Sequence, residues 1–209
     1  MTTDLSPKKK LKRRGLFHVN FQKHSNTLYF KVITMILNQN ETFGGLPIFV
    51  QQAFQTKIST PTKDFLPAGI KLYKFNDFST LHGPSNNNLS PWWSPYNEYK
   101  HDAGWHQKIK MAKANGISVR EWGRLTSAVK ENWNSLSFLL EITLKVPVYG
   151  FFGGFAQMQR IDAGSSSKMA AGEKKGGSKN LPGGATQFYI PNLTADHVGS
   201  WKASSLSSL

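Results

Sequence analysis

Between Leu136 and Val146 the chain alternates. Leu136, Phe138, Leu140, Ile142, Leu144 and Val146 are apolar, whereas Ser137, Glu141, Thr143 and Lys145 are polar. A side-chain period of two belongs to a β-strand, whose successive residues point to opposite faces, so this segment specifies a strand over 136–146 with one buried face. Pro147 ends the strand or marks it as an edge, because proline cannot donate to the ladder. The apolar face must be covered, and the preceding segments supply helices. Ser118-Val119-Arg120-Glu121 is a capping box, with Ser at the N-cap and Glu at the third helical position. It opens a helix predicted over 118–134, with a stripe of Trp122, Leu125, Val129 and Trp133. Another helix is predicted over 102–115, where Trp105, Ile109 and Ala112 fall at helical spacing and Gly116 supplies the stop.

Further strands are predicted at 69–75, where Ile70, Leu72 and Lys74 share one face and Lys71, Tyr73 and Phe75 the other, at 148–155 and at 186–190. Gly44-Gly45 and Pro47 precede a short amphipathic helix over 46–54. Residues 76–101 form a long loop holding Trp92-Trp93 between Pro91 and Pro95. The Gly/Ser/Lys-rich stretch 163–180 is expected to be a mobile insertion. Pro191-Asn192-Leu193 reads as a turn and Thr194 as the N-cap of a short terminal helix. The sum is a single α+β domain over 42–200, with an antiparallel or mixed sheet packed by two central helices.

Charge is distributed unevenly. The 209 residues carry 26 Lys and Arg against 12 Asp and Glu, a formal net charge of +14. Half of it lies in residues 1–34, where eight bases face one acid. The run Lys8, Lys9, Lys10, Lys12, Arg13, Arg14 is a polyanion-binding arm or a solvated tail. Alternation at Phe17, Val19, Phe21 and at Leu28, Phe30, Val32 suggests a hairpin there. Met35 could itself be a start, so the basic extension is expected to lie outside the functional domain. The run is followed by Gly15-Leu16-Phe17-His18-Val19-Asn20, too polar for a secretory signal, and no apolar stretch approaches the roughly 20 residues of a membrane span. The expectation is a soluble, cytoplasmic protein with no membrane partner.

The absence of cysteine removes disulfides, thiolate metal sites and thiol nucleophiles. Asp102 and His106 would share a helix face if the helix began at 102, but no third ligand accompanies them, so no metal site is assigned. No Gly-x-Ser-x-Gly elbow, Gly-x-Gly-x-x-Gly fingerprint or P-loop occurs. Trp92-Trp93, with Tyr96 and Tyr99, offers a stacking surface for a planar ligand, or else folds back as a plug over the core.

The segment Leu66-Pro67-Ala68-Gly69-Ile70-Lys71-Leu72-Tyr73-Lys74 resembles the first strand of bacterial mono-ADP-ribosyltransferase toxin domains. The resemblance implies a split β-sheet core and NAD as substrate. It places Lys74, beside Tyr73, where the family has an NAD-holding Arg, Ser90 or Ser94 in the role of the middle serine, and Gln187 at the position of the catalytic Glu. Lys lacks the bidentate fork of Arg and Gln lacks the carboxylate charge, so the implied function is a catalytically degenerate effector-type domain. In it NAD or a related nucleotide would stack on Trp92 or Trp93 with phosphate held by Lys74. His82-Gly83 matches the His-Gly dipeptide of the superfamily's other branch. The chain is also similar to bacterial proteins with a Ser-Pro-Trp-Trp loop and a terminal Gln-Phe-Tyr-Ile-Pro-Asn-Leu segment. The alternatives are a nucleic-acid or polyanion-binding module and a structural interaction protein.

Overall fold

A computed structural model describes residues 35–81, 87–169 and 178–208. The chain divides into two compact units, Met1–Met35 and Ile36–Leu209, and only the second is treated below. The basic run, the hairpin suggested near 17–32, His82-Gly83 and residues 170–177 of the insertion lie outside the described residues.

The second unit is built on one antiparallel sheet. Its strands, in chain order, are β1 (Thr62–Leu66), β2 (Lys71–Asn76), β3 (Trp92–Pro95), β4 (Phe138–Leu144), β5 (Val148–Gly154), β8 (Thr186–Tyr189) and β9 (Val198–Ser205), with β6 (Met158–Gln159) and β7 (Asn180–Leu181) forming a separate two-stranded ribbon. The spatial order is β1-β5-β8-β3-β2-β4-β9. Among the described residues three α-helices accompany it: α1 (Ile48–Gln52), α2 (Gly104–Ala114) and α3 (Val119–Thr126).

Register fixes which residues share a face. Leu72 lies opposite Ile142 and Lys74 opposite Leu140, while Trp93 lies opposite Phe188 and Phe188 opposite Phe152. These residues, apart from Lys74, form one apolar cluster with Leu66, Leu144, Val148 and Ile190, closed by Leu89 and Leu193 from loops. The other face carries Tyr73, Phe75 and Leu139, which pack with Trp105 of α2 and Val119 of α3, and further along Phe151, which packs with Val50 of α1 and with Phe54. One face is therefore covered by loops and the other by helices. That explains why Leu139, which breaks the alternation, is as buried as Leu140: β4 is covered on both sides.

Several boundaries differ from expectation. β4 stops at Leu144, short of Pro147, and is not an edge, since β2 and β9 flank it. The helix predicted over 118–134 ends at Thr126, and Ala128 follows with φ 48°, a left-handed conformation that no helix continues through. Its buried residues are Val119, Gly123 and Arg124 rather than the Trp122 stripe, and Trp133 stands half exposed with its Nε1 donating to Asp162 at 3.2 Å. Ser118 Oγ accepts the Glu121 N–H at 3.1 Å, as a capping box requires, while the Glu121 carboxylate goes to Arg160. In place of a terminal helix, Thr194 caps a single turn, Ala195–His197, and the chain becomes β9. Trp92-Trp93, expected in a loop, are in β3, and β1 was not foreseen. The described start of the 163–180 insertion is tied down, with the Lys168 N–H donating to the Glu131 carbonyl at 2.8 Å.

Candidate functional site

Polar residues occupy the middle of the helix-covered face. Lys202, Glu141, Tyr73 and Ser94 follow one another across β9, β4, β2 and β3, and on β8 Gln187 lies opposite Gly153 of β5. Ser94 and Gln187 are buried, as are Asp102 and Lys108, which come down onto this row from the loop before α2 and from α2 itself. Lys108 Nζ donates to Asp102 Oδ2 at 2.5 Å, Thr186 Oγ1 donates to the same oxygen, and the Gly104 N–H donates to Asp102 Oδ1 at 2.8 Å. Ser94 Oγ donates to the Thr186 carbonyl at 2.9 Å. Burial removes water from the ammonium and the carboxylate alike, so each depends on these partners. Desolvation lowers the Lys108 pKa, against the pull of Asp102. The Tyr73 phenol is raised above its ordinary value by burial first and by the Asp102 charge second.

This anchor positions a surface depression of about 480 Å³ between the loop after β3 and the first turns of α2. Gly104 has φ +74°, and a Cβ there would stand 2.7 Å from the Asn97 carbonyl carbon and 2.8 Å from the Glu98 nitrogen, so only glycine lets the helix start this close to the loop. The Trp105 N–H donates to the Tyr96 carbonyl at 2.8 Å, closing the junction. Around the depression stand Tyr96, Asn97, Glu98, His106, Gln107 and Lys110. Tyr96 and His106 meet edge to face, their centroids 5.3 Å apart. His106 and Lys110 are four residues apart on α2 and so share a face. The Tyr96 phenol is raised by burial first and by Glu141 second, with Lys202 opposing; Lys202 pairs with Glu141 at 3.0 Å.

The residues singled out from sequence are only partly brought together. Lys74 and Trp93 are neighbours on the loop-covered face, with Lys74 Nζ 5.8 Å from the Trp93 ring. Tyr73 and Gln187 belong to the opposite face, where the Gln187 amide donates to the Ala53 carbonyl at 2.9 Å. Adjacent residues of a strand point to opposite faces, so Trp92 and Trp93 are separated as well. The Trp92 ring lies 4.6 Å from Tyr189 and 5.9 Å from Phe54, and Trp93 is 1% exposed, so the two rings pack as strand residues and neither is presented by a loop, as a stacking surface or as a plug. Ser90 orients both tryptophans: its Oγ accepts the Trp92 N–H at 3.4 Å and its carbonyl accepts Trp93 Nε1 at 2.7 Å. The condition on which Asp102 and His106 would share a helix face is not met, because α2 begins at Gly104 and Asp102 is taken by Lys108 and Thr186. No group of three or more potential metal ligands occurs among the described residues.

Lys108, Lys110 and Thr186 were missed. The signal available for Lys108 was its place four residues after Gly104 and three after Trp105, on the core side of α2, where a lysine needs an acid. Lys110 and Thr186 had no such signal.

A second buried network flanks α3. Arg160 donates to both oxygens of Glu121, at 2.6 and 3.2 Å, and to Glu131 at 3.2 Å, while its backbone carbonyl accepts the Glu131 N–H at 2.9 Å. It ties the ribbon of β6 and β7 to α3, with Arg160 and Glu131 buried and Glu121 partly exposed. No helix of the described residues is long and apolar enough to cross a membrane. No family model matches the chain, and a search of curated proteins finds no match to it.

Proposed function

We propose that the second unit is a ligand-binding domain whose binding face is the depression at the start of α2, and that its ligand is a small anion carrying a planar ring, of nucleotide type. The observation that carries this reading is the convergence of Tyr96, His106 and Lys110 on one concavity. The two rings supply a surface for a planar group, the Lys110 ammonium supplies charge for a phosphate, and the Asn97 and Gln107 amides supply donors and acceptors that would orient the ligand. Glu98 on the rim disfavours highly charged ligands, which favours a mononucleotide or dinucleotide over a long polyanion.

NAD is the member of this class to which the resemblance to ADP-ribosyltransferase toxin domains points. The resemblance selects the ligand to test and not the place, since its motif counterparts Lys74 and Gln187 lie on opposite faces of the sheet and outside the depression. Group transfer is not part of the proposal, since Gln187 is uncharged, buried and engaged by the Ala53 carbonyl. The test is calorimetric titration of the full chain with AMP and with NAD. The expected result is saturable binding in the millimolar range or tighter that weakens at least tenfold in Lys110→Glu and in His106→Ala and is unchanged in Lys74→Ala. Binding lost in Lys74→Ala and Trp93→Ala but kept in Lys110→Glu would move the site to the loop-covered face, and no binding at all would end the proposal.

A further inference from the structure

Glu98, His106 and Lys110 stand around one concavity of about 480 Å³, and together they are equipped for more than binding. A carboxylate accepts protons near neutrality, an imidazole can give them, and an ammonium holds negative charge. The backbone brings the three together. A Cβ at Gly104 would stand 2.8 Å from the Glu98 nitrogen, so Glu98 is held against the first turn of α2, the turn that carries His106. The His106 ring is seated edge to face on Tyr96, and Lys110 follows one turn later on the same side of the helix. All three side chains are exposed, so a substrate can reach them.

Charge narrows the substrate class. One ammonium and one carboxylate suit a phosphodiester, which carries a single negative charge, better than a phosphomonoester, which carries up to two. The nucleophile is narrowed as well. Among the described residues that line the depression none is a serine or threonine, and burial raises the Tyr96 phenol, which keeps it protonated. A hydroxyl that the substrate itself holds beside its phosphorus has a large entropic advantage over free water. The 2′-hydroxyl of a ribonucleotide is such a group.

We propose that the depression cleaves short single-stranded RNA, down to a ribodinucleotide, by transphosphorylation, with Glu98 as general base, His106 as general acid and Lys110 at the phosphate. The proposal rests on the reading of the depression as a nucleotide site. Glu98 takes the 2′-hydroxyl proton as that oxygen bonds to phosphorus. The Lys110 ammonium stabilises the charge that builds on the non-bridging oxygens. The bond from phosphorus to the 5′-oxygen breaks, and His106 gives that oxygen a proton. The products are a 2′,3′-cyclic phosphate and a free 5′-hydroxyl. Solvent carries the proton from Glu98 back to His106, and no water, oxidant or reductant is consumed.

The experiment incubates the full chain, in EDTA, with the ribodinucleotide ApA and with d(ApA), which lacks the nucleophile, and separates the products by chromatography. Binding of d(ApA) is measured in parallel by calorimetry. The expected result is adenosine and adenosine 2′,3′-cyclic phosphate from ApA, while d(ApA) binds and stays intact. Glu98→Gln and His106→Gln should each slow cleavage at least about a hundredfold, the ordinary weight of one general acid or base, and Glu98→Gln should bind d(ApA) at least as tightly as the parent does. A smaller loss in either variant traces the cleavage to other groups and overturns the proposal. Binding of d(ApA) with ApA left intact also overturns it, and leaves the nucleotide reading of the depression standing. Absence of binding to both dinucleotides ends the two together.

Discussion

Replacing Asp102 by Ala should be among the most damaging single changes on the helix-covered face. The carboxylate accepts from Lys108 Nζ, from Thr186 Oγ1 and from the Gly104 N–H. Its side chain is 1% exposed and that of Lys108 8%, so the variant would leave an ammonium with no water to replace the lost acceptor. Breaking one half of a buried pair costs about 3–5 kcal/mol. For a domain of this size that corresponds to a fall in Tm of roughly 6–20 °C. The double variant Asp102→Ala, Lys108→Met removes both charges, and if the cost lies in the stranded ammonium it should be more stable than Asp102→Ala alone by about 1–3 kcal/mol. The assay is urea unfolding followed by tryptophan fluorescence, with the slope checked for constancy so that midpoint shifts report stability. Additive losses in the double variant, or a loss under about 1 kcal/mol in Asp102→Ala, would refute the reasoning, because they would mean that the pair is solvated or uncoupled.

Three other changes follow from the same packing. A Cβ at Gly123 would lie 2.3 Å from Phe75 Cζ, so Gly123→Ala should lower stability by about 1–3 kcal/mol in spite of alanine's better helix propensity, measured by thermal melting. Arg160→Met strands Glu131, which is fully buried, and hydrogen exchange should show loss of protection in the ribbon of β6 and β7 before the main sheet. Lys74 sheds its proton near pH 8 in the folded state and near 10.4 when unfolded, so the unfolded chain holds more protons between those values and stability should rise across pH 8–10 by up to about 1.4 kcal/mol per unit. Above pH 10 the sign reverses, because Tyr73 and Tyr99 keep protons in the fold that the unfolded chain releases; Lys74→Met should lessen the rise that begins at pH 8, leaving the part that Lys108, also lowered by burial, supplies, and a rise of unchanged size would contradict the assignment.

The sequence exposed elements whose signal is local. Alternation gave β4, and Ser118 gave the start of α3, since a hydroxyl three residues before a free backbone N–H acts through one turn of chain. What lay beyond it was tertiary. β1 and β3 are short segments whose strand geometry comes from pairing with β5, β8 and β2. β9 overrode the helix predicted from Thr194, because it pairs with all seven residues of β4 across one register shift. For the site, Tyr96 and His106 were visible as chemically capable residues, but their meeting required the left-handed Gly104 and the buried Asp102–Lys108 pair to turn α2 back onto the loop. The separation of Lys74 from Gln187 was implicit in strand pleating and became readable only once the register was known.

The central claim is that the depression at the start of α2 is where a planar anion binds. Titrating the isotopically labelled full chain with AMP and following backbone amide shifts tests it most directly. The account predicts saturable shifts concentrated at Tyr96 to Glu98, Gly104 to Gln107 and Lys110, and abolished in Lys110→Glu; shifts concentrated instead at Lys74 and Trp93, or none at millimolar AMP, would contradict it.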